Sequence, residues 1–233
     1  MSNILAYNLM NQTYSIYDIN PNTTDEGHFF AIADIIMNYH LLLANNNAFR
    51  ICEIEFYLKS DYHPDPYTHC DPDQLKYGTY YFHKHGTGTY KSGTFKGVDI
   101  TLGDDTVTSY FGILIRSLYN IKTKEFTEGP CNSVNAILKC YDLESIDSLT
   151  NNLSLNIWKN NRNLILQPIE RNNSKSLKNK FPYEEIYFGP RIGLGEPQTE
   201  LHHIYVNSPY RFVIMKDMIK KQKKMLEQVL VDT

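Results

Sequence analysis

Between Arg50 and Tyr57 the chain alternates, which places Ile51, Glu53, Glu55 and Tyr57 on one side of an extended strand and Cys52, Ile54 and Phe56 on the other. Two carboxylates on one strand face stand out, because a carboxylate taken out of water costs free energy unless it is paired. Upstream the period changes. Phe29, Ile32, Ile35 and Ile36 recur at helical spacing, so a helix is expected over residues 25–41 with Thr24 or Asp25 as its cap. Asn45, Asn46 and Asn47 mark a turn that joins residues 41–43 to 49–57 as a hairpin. Three prolines make residues 62–73 a loop. Further strands are expected over 78–83, 95–102 and 110–119, and a helix over 131–138 opened by Gly129 and Pro130. A last helix is expected over 216–229, where Met218, Ile219, Met225, Leu226 and Val229 oppose a lysine-rich face. Residues 145–180 are asparagine-rich and show no period.

No linker divides the 233 residues, so one domain is expected over 25–215, between an N-terminal extension (1–24) and the C-terminal helix (216–233). A hydrophobic fraction of 42% is enough for one buried core, and 18 tyrosines, apolar in body and polar at the tip, suit a binding surface. Residues 29–44 contain Asp34, Asn38 and His40 and are too short and polar to span a bilayer. No secretory leader is read, and the cysteines at 52, 70, 131 and 140 lack C-x-x-C spacing, so a reduced, intracellular protein is expected. The net charge of −3 argues against a general polyanion binder. The charge is segregated, however: residues 51–75 carry six acids and one lysine, whereas residues 76–124 carry seven Lys or Arg against three Asp. Residues 174–224 carry ten basic residues against five acids, so basic segments flank an acidic one.

Glu55, central in its strand, is the candidate general base; the alternative is that Glu53 or Glu55 faces solvent or pairs with Arg50 or Arg116. Asp65, His69, Cys70 and Asp71 lie in the proline loop, and His83 and His85 share one side of a strand. Such groups can ligate zinc, but neither H-E-x-x-H nor paired C-x-x-C is present, and no metal or other cofactor is expected. The loop over residues 86–97, with four glycines, Lys91 and Lys96, could bring main-chain donors and two ammonium groups to a phosphate backbone, or be a plain hairpin loop. Its glycine spacing is neither that of a P-loop nor that of a dinucleotide fingerprint.

Seven segments follow one another between residues 29 and 214: R-I-C-E-I-E-F-Y from Arg50, D-x-x-x-H from Asp65, Y-Y-F from Tyr80 with Gly86, I-L-I-R-S-L from Ile113, G-P from Gly129 running to Ala136 and Ile137, R-I-G-L-G from Arg191, and P-Y-R-F from Pro209. In order and type they resemble R-I-V-E-x-E-A-Y, D-x-x-x-H, Y-V-Y-x-x-Y-G, V-L-L-R-A-L, G-P-x-x-L-x-x-A-L, R-I-G-I and P-x-R-F of the alkyladenine (3-methyladenine) DNA glycosylase family. The resemblance implies an α+β fold, a single domain with a curved, mostly antiparallel sheet and peripheral helices (formyltransferase C-terminal-like). It implies that Glu55 activates the water that attacks the sugar carbon, that Arg116 positions that water, and that Tyr57, His69 and Phe82 enclose a base flipped from the duplex. His85 stands where the family has its wedge tyrosine, with Tyr90 as the alternative wedge and Lys91 and Lys96 as DNA contacts. Asp99 stands where the family has a pocket-floor asparagine; as an acceptor-only group it could receive a guanine amino group. The implied partner is duplex DNA carrying a modified base, bound by a monomer with no membrane, and the nucleus follows only from that substrate. Two other readings remain: a noncatalytic nucleic-acid or nucleotide binder on the same fold, and a zinc hydrolase using His69, His83, His85 and Asp65 or Asp71.

Overall fold

The helical period becomes helix α1 (Glu26–Tyr39), which buries Phe29, Ile32, Ile36 and Met37. Strand β1 (His40–Ala44) follows directly, and a turn through Asn45, left-handed at φ 53°, returns the chain as β2 (Asn47–Lys59). Asparagine tolerates that conformation because its short polar side chain can bond locally. A computed structural model describes residues 26–158, 164–169 and 181–228. The expected extension over 1–24 and the cap at Thr24 or Asp25 lie outside the described residues.

Strand β2 is the spine of the sheet. One edge pairs along its length with β5 (Tyr110–Asn120); the other carries β1 at its start and β9 (Arg211–Val213) at Glu53–Glu55. Beyond β5 lie β4 (Val98–Leu102), β3 (Tyr77–Phe82) and the short β6 (Phe126–Glu128). Beyond β9 come β8 (Tyr187–Gly189) and β10 (Glu227–Gln228), while β7 (Ile165–Pro168) borders β1. Every pairing among the described strands is antiparallel. Helices α2 (Pro130–Cys140), α3 (Ile146–Asn152) and α4 (Glu200–Asn207) join α1 at the periphery. The protein is thus a single α+β domain built on a curled antiparallel sheet with peripheral helices, as expected. No helix of the described residues is long and apolar enough to cross a membrane.

The core face of the sheet is apolar because β-strand alternation sends Ile54 and Phe56 of β2, Ile100 of β4, and Ile113 and Ile115 of β5 inward. Phe56 stacks on Phe29 of α1 with ring centroids 4.4 Å apart. The alternation breaks once, where the β2–β5 register shifts between Ile51 and Ile54, so Ile51 joins Cys52 in the hydrophobic cluster instead of accompanying the carboxylates.

Two further expectations are corrected. The strand expected from residue 95 begins at Val98, after a 3-10 turn over Gly93–Phe95. The helix expected over 216–229 is absent from the described part of that segment, which forms 3-10 turns at Lys216–Met218 and Lys223–Met225 and then β10. Tertiary contacts outweigh the helical period. Ile219 and Leu226 are buried with Val213, the Lys221 carbonyl accepts from Arg211, and Gln222 turns at φ 49° to let both halves reach the sheet.

Candidate active site

The register shift in β2 falls beside Glu53 and opposite the stretch of β5 that carries Arg116. Bulges of this kind re-aim side chains. Here they bring Arg116 between two carboxylates: its Nε donates to Glu53 Oε1 at 3.1 Å and its Nη1 to Glu55 Oε2 at 3.1 Å. Arg211 of β9 donates to Glu53 Oε1 at 2.8 Å, and the Ser117 hydroxyl donates to Glu53 Oε2. Two carboxylates and two guanidinium groups therefore balance inside the protein. Arg50, the other candidate partner, reaches instead to the Met37 carbonyl, Asn38 and Glu184.

Glu55 is 0% exposed. Its Oε1 accepts the Ile192 N–H at 2.7 Å, and its Oε2 accepts the Tyr57 hydroxyl at 2.9 Å besides Arg116. An ionised carboxylate offers about four acceptor positions, so one on Oε1 remains open. Burial holds the Glu55 carboxyl above the ordinary glutamate range, against the opposing pull of Arg116 and the Ile192 N–H. Burial, with Glu55 beside it, also pushes the Tyr57 phenol well up, which keeps that hydroxyl a donor.

The loop that supplies Ile192 is anchored by Arg191. Its Nη1 and Nη2 bond Asp65 at 2.5 and 3.1 Å, with both side chains fully buried. The rings of Tyr57, Tyr210 and Tyr67 lie 4.5, 5.3 and 5.5 Å from the guanidinium carbon. Beyond Arg191, Gly193 adopts φ +76°, a conformation glycine takes without strain, and residues 193–195 fold over the site.

Next to Tyr57 and Leu114, the hydrogen-bond and cross-strand neighbours of Glu55, lies a cleft of about 190 Å³ that these two line together with Tyr67, His69, Gln74, His83, Asp99 and residues 193–195. Drug-sized ligands occupy pockets of about 300–1,000 Å³, so this one suits a single ring system. The His69 and His83 rings meet at 4.5 Å, and Tyr81 lies 5.5 Å from His83. His69 keeps one edge open to solvent, yet its imidazole is pushed down to about 4, by burial first and by His83 second. At neutral pH it is an uncharged ring with one donor and one acceptor.

Asp99 accepts from His83 Nε2 at 2.7 Å and from Gln74 Nε2 at 3.1 Å. The orientation of Gln74 is set locally, because its Oε1 accepts the Asp71 N–H in the capping box of the 3-10 turn Pro72–Leu75 and its amide nitrogen is left for Asp99. A Cβ on Gly97 would overlap the His83 ring, and one on Gly112 would overlap the Asp99 carboxylate and come within 2.6 Å of Gln74 Nε2. Gly112→Ala is therefore expected to cost about 1–3 kcal/mol, the usual range for overpacking, and to displace Asp99. Urea unfolding measures the cost, and an unchanged midpoint would mean that Gln74 and Asp99 are free to move aside.

Of the residues expected from sequence, Glu55, Arg116, Tyr57, His69 and Asp99 come together here. Phe82 does not. It is 1% exposed, pairs with Val98 and faces the core, because strand alternation gives the pocket side to its neighbours Tyr81 and His83. His85 is exposed in the loop that leaves β3, while Tyr90 is partly buried with Lys84 Nζ 5.6 Å from its ring. Lys91 follows Tyr90 at the rim, its N–H bonded to the His83 carbonyl, and Lys96 reaches Asn135 at 2.6 Å. Phe95, 74% exposed on the same loop, was not anticipated. Neither were Gln74, Tyr67 and residues 193–195, nor the tie from Arg211 to Glu53; the only signals for these were the D-P-D-Q capping pattern, R-I-G-L-G and P-Y-R-F. The zinc reading lacks a ligand set, since among the described residues no three His, Cys, Asp or Glu side chains converge.

No family model matches the chain. Over 217 residues, 88% of this chain and 94% of the relative, it is 47% identical to an uncharacterized protein of Acanthamoeba polyphaga mimivirus.

Proposed function

We propose that this chain, which belongs to one family with that mimivirus protein, is a DNA glycosylase that hydrolyses the N-glycosidic bond of alkylated or otherwise modified purines after the base leaves the duplex. One observation carries the reading: a fully buried carboxylate, Glu55, is held by Arg116 and the Ile192 N–H and bonded to Tyr57, which lines a ring-lined cleft of about 190 Å³. In this reading a water donates its proton to the open position on Glu55 Oε1 while its oxygen attacks the sugar carbon, and the bond electrons leave with the base. Arg116 holds the carboxylate charged and in place. Tyr57, His69 and His83 grip the base through ring faces and polar edges, and Lys91 and Lys96 of the loop after β3 are the candidate phosphate contacts. The complete burial of Glu55 beneath Tyr57 equally suits a noncatalytic binder of the same ligands, so the two readings are separated by turnover.

The test is incubation of the protein in excess, at low salt, with duplexes carrying ethenoadenine, hypoxanthine or methylated purines, with released base and abasic sites as readout. Release is expected. Binding of lesion duplex without release by folded protein would leave the binder.

The pH profile follows from Glu55. Its raised pKa means that protonation begins above the ordinary glutamate range, so single-turnover rate should fall on the acid side with a midpoint higher than an exposed glutamate would give. A rate that stays flat down to pH values where glutamate is normally half-protonated would remove Glu55 as the base.

A further inference from the structure

We propose, resting on the glycosylase reading above, that Glu53 is a positioning residue for that reaction: acting through Arg116, it keeps Glu55 a competent proton acceptor. No step described so far uses Glu53, although it is buried and holds two guanidinium groups. A glutamate base accepts a proton best when its charged form is not over-stabilised. A buried arginine devoted to one carboxylate does over-stabilise it, commonly through two parallel bonds. Arg116 is divided instead. Its Nε goes to Glu53 and its Nη1 to Glu55, one bond each at 3.1 Å. The Glu53 charge therefore offsets part of the pull of Arg116 on Glu55, and it works with burial in raising the Glu55 carboxyl.

Arg211 makes this sharing possible. It donates to the same Glu53 oxygen at 2.8 Å while the Ser117 hydroxyl donates to the other, so Glu53 has a charged partner of its own and takes a single bond from Arg116. Although Arg211 stands opposite Glu55 in the β2–β9 register, its bonds go to Glu53 and to the Lys221 carbonyl. The other groups that face Glu55 are the Tyr57 hydroxyl, the Ile192 N–H and Arg191, whose charge is matched by Asp65. Beside Glu53, burial keeps the Cys52 thiol neutral. Glu128 of β6, opposite Ser117 in register, accepts the Lys220 and Lys221 N–H groups.

The experiment titrates the Glu55 carboxyl directly, by carbon NMR of protein labelled at the glutamate carboxyl carbons, and measures single-turnover base release from the lesion duplexes across pH in parallel. Wild type is compared with Glu53→Gln, Arg211→Gln and the double variant, and the signal missing from Glu55→Gln identifies the residue. Glu53→Gln leaves Arg116 with one carboxylate to serve, so the Glu55 midpoint should fall by about one pH unit, the low end of the effect of an adjacent charge, and the acid limb of the rate should fall with it. Arg211→Gln should move both upward. The double variant removes one charge of each sign and should return them most of the way to wild type. A purely structural role for Glu53 would slow release without moving the midpoint. Midpoints that stay in place in both single variants, or that move in the same direction, would overturn the role of Glu53 and leave the glycosylase. Opposed shifts with no base released from any duplex would keep the coupling of Glu53 to Glu55 and sink the glycosylase. Should Glu53→Gln fold poorly, Arg211→Gln, which retains the carboxylate, decides by its shift: upward supports the coupling, and downward or none overturns it.

Discussion

Glu55→Gln is expected to lower single-turnover base release by about 10²–10⁴-fold, the contribution of a positioned proton acceptor. The substitution keeps the size of the side chain and leaves Arg116 bonded to Glu53, so the sheet should remain assembled. Some stability will be lost, because the carboxylate accepts on both oxygens, from Ile192 on one side and from Tyr57 and Arg116 on the other, while an amide accepts on one only. Rates must therefore be compared well below both melting temperatures. Turnover within about threefold of wild type in folded Glu55→Gln would take the residue out of the mechanism, since general-base catalysis is worth far more.

Asp65→Ala is expected to produce the largest loss of stability, about 3–5 kcal/mol, because it strands the Arg191 guanidinium in a fully buried site. Arg191 would keep its bonds to the Phe56 and Tyr205 carbonyls and its tyrosine neighbours, but those are neutral and do not cancel the charge. Base release should fall as well, since the segment from Ile192 to Gly195 follows Arg191 and both completes the Glu55 site and closes the cleft. Equilibrium urea unfolding measures the first effect. Replacing Asp65 and Arg191 together by leucine should cost less than Asp65→Ala alone, as removing both members of a buried pair leaves no naked charge. A loss below about 1 kcal/mol for Asp65→Ala would mean that the pair does not anchor this loop, since it would match only an exposed ion pair.

The way these residues meet also marks where reading along the chain falls short. Alternation in β2 correctly placed Glu53, Glu55 and Tyr57 opposite Ile54 and Phe56, because a strand's period is two and one face must be dry. In β3 it was the resemblance that put Phe82 in the pocket, a register one residue out, when His83 and Tyr81 occupy that side. Nothing local distinguishes the two registers in Y-Y-F-H, since both aromatic and imidazole side chains can line a pocket or fill a core. The basic C-terminal segment shows the opposite failure: its helical period is real, yet burial of Ile219 and Leu226 against Val213 outweighs it.

What the chain alone determined is what depends on neighbours in sequence: the hairpin at Asn45, helix α1, the strands carrying Glu55 and Arg116, and the antiparallel, helix-flanked architecture implied by the order of the motifs. Tertiary structure alone decided which charges pair. Glu55 meets Arg116 across 61 positions, Ile192 across 137, and Glu53 meets Arg211 across 158. Those partners are chosen by sheet register and by the cost of leaving any buried charge unmatched, and neither is written in local pattern.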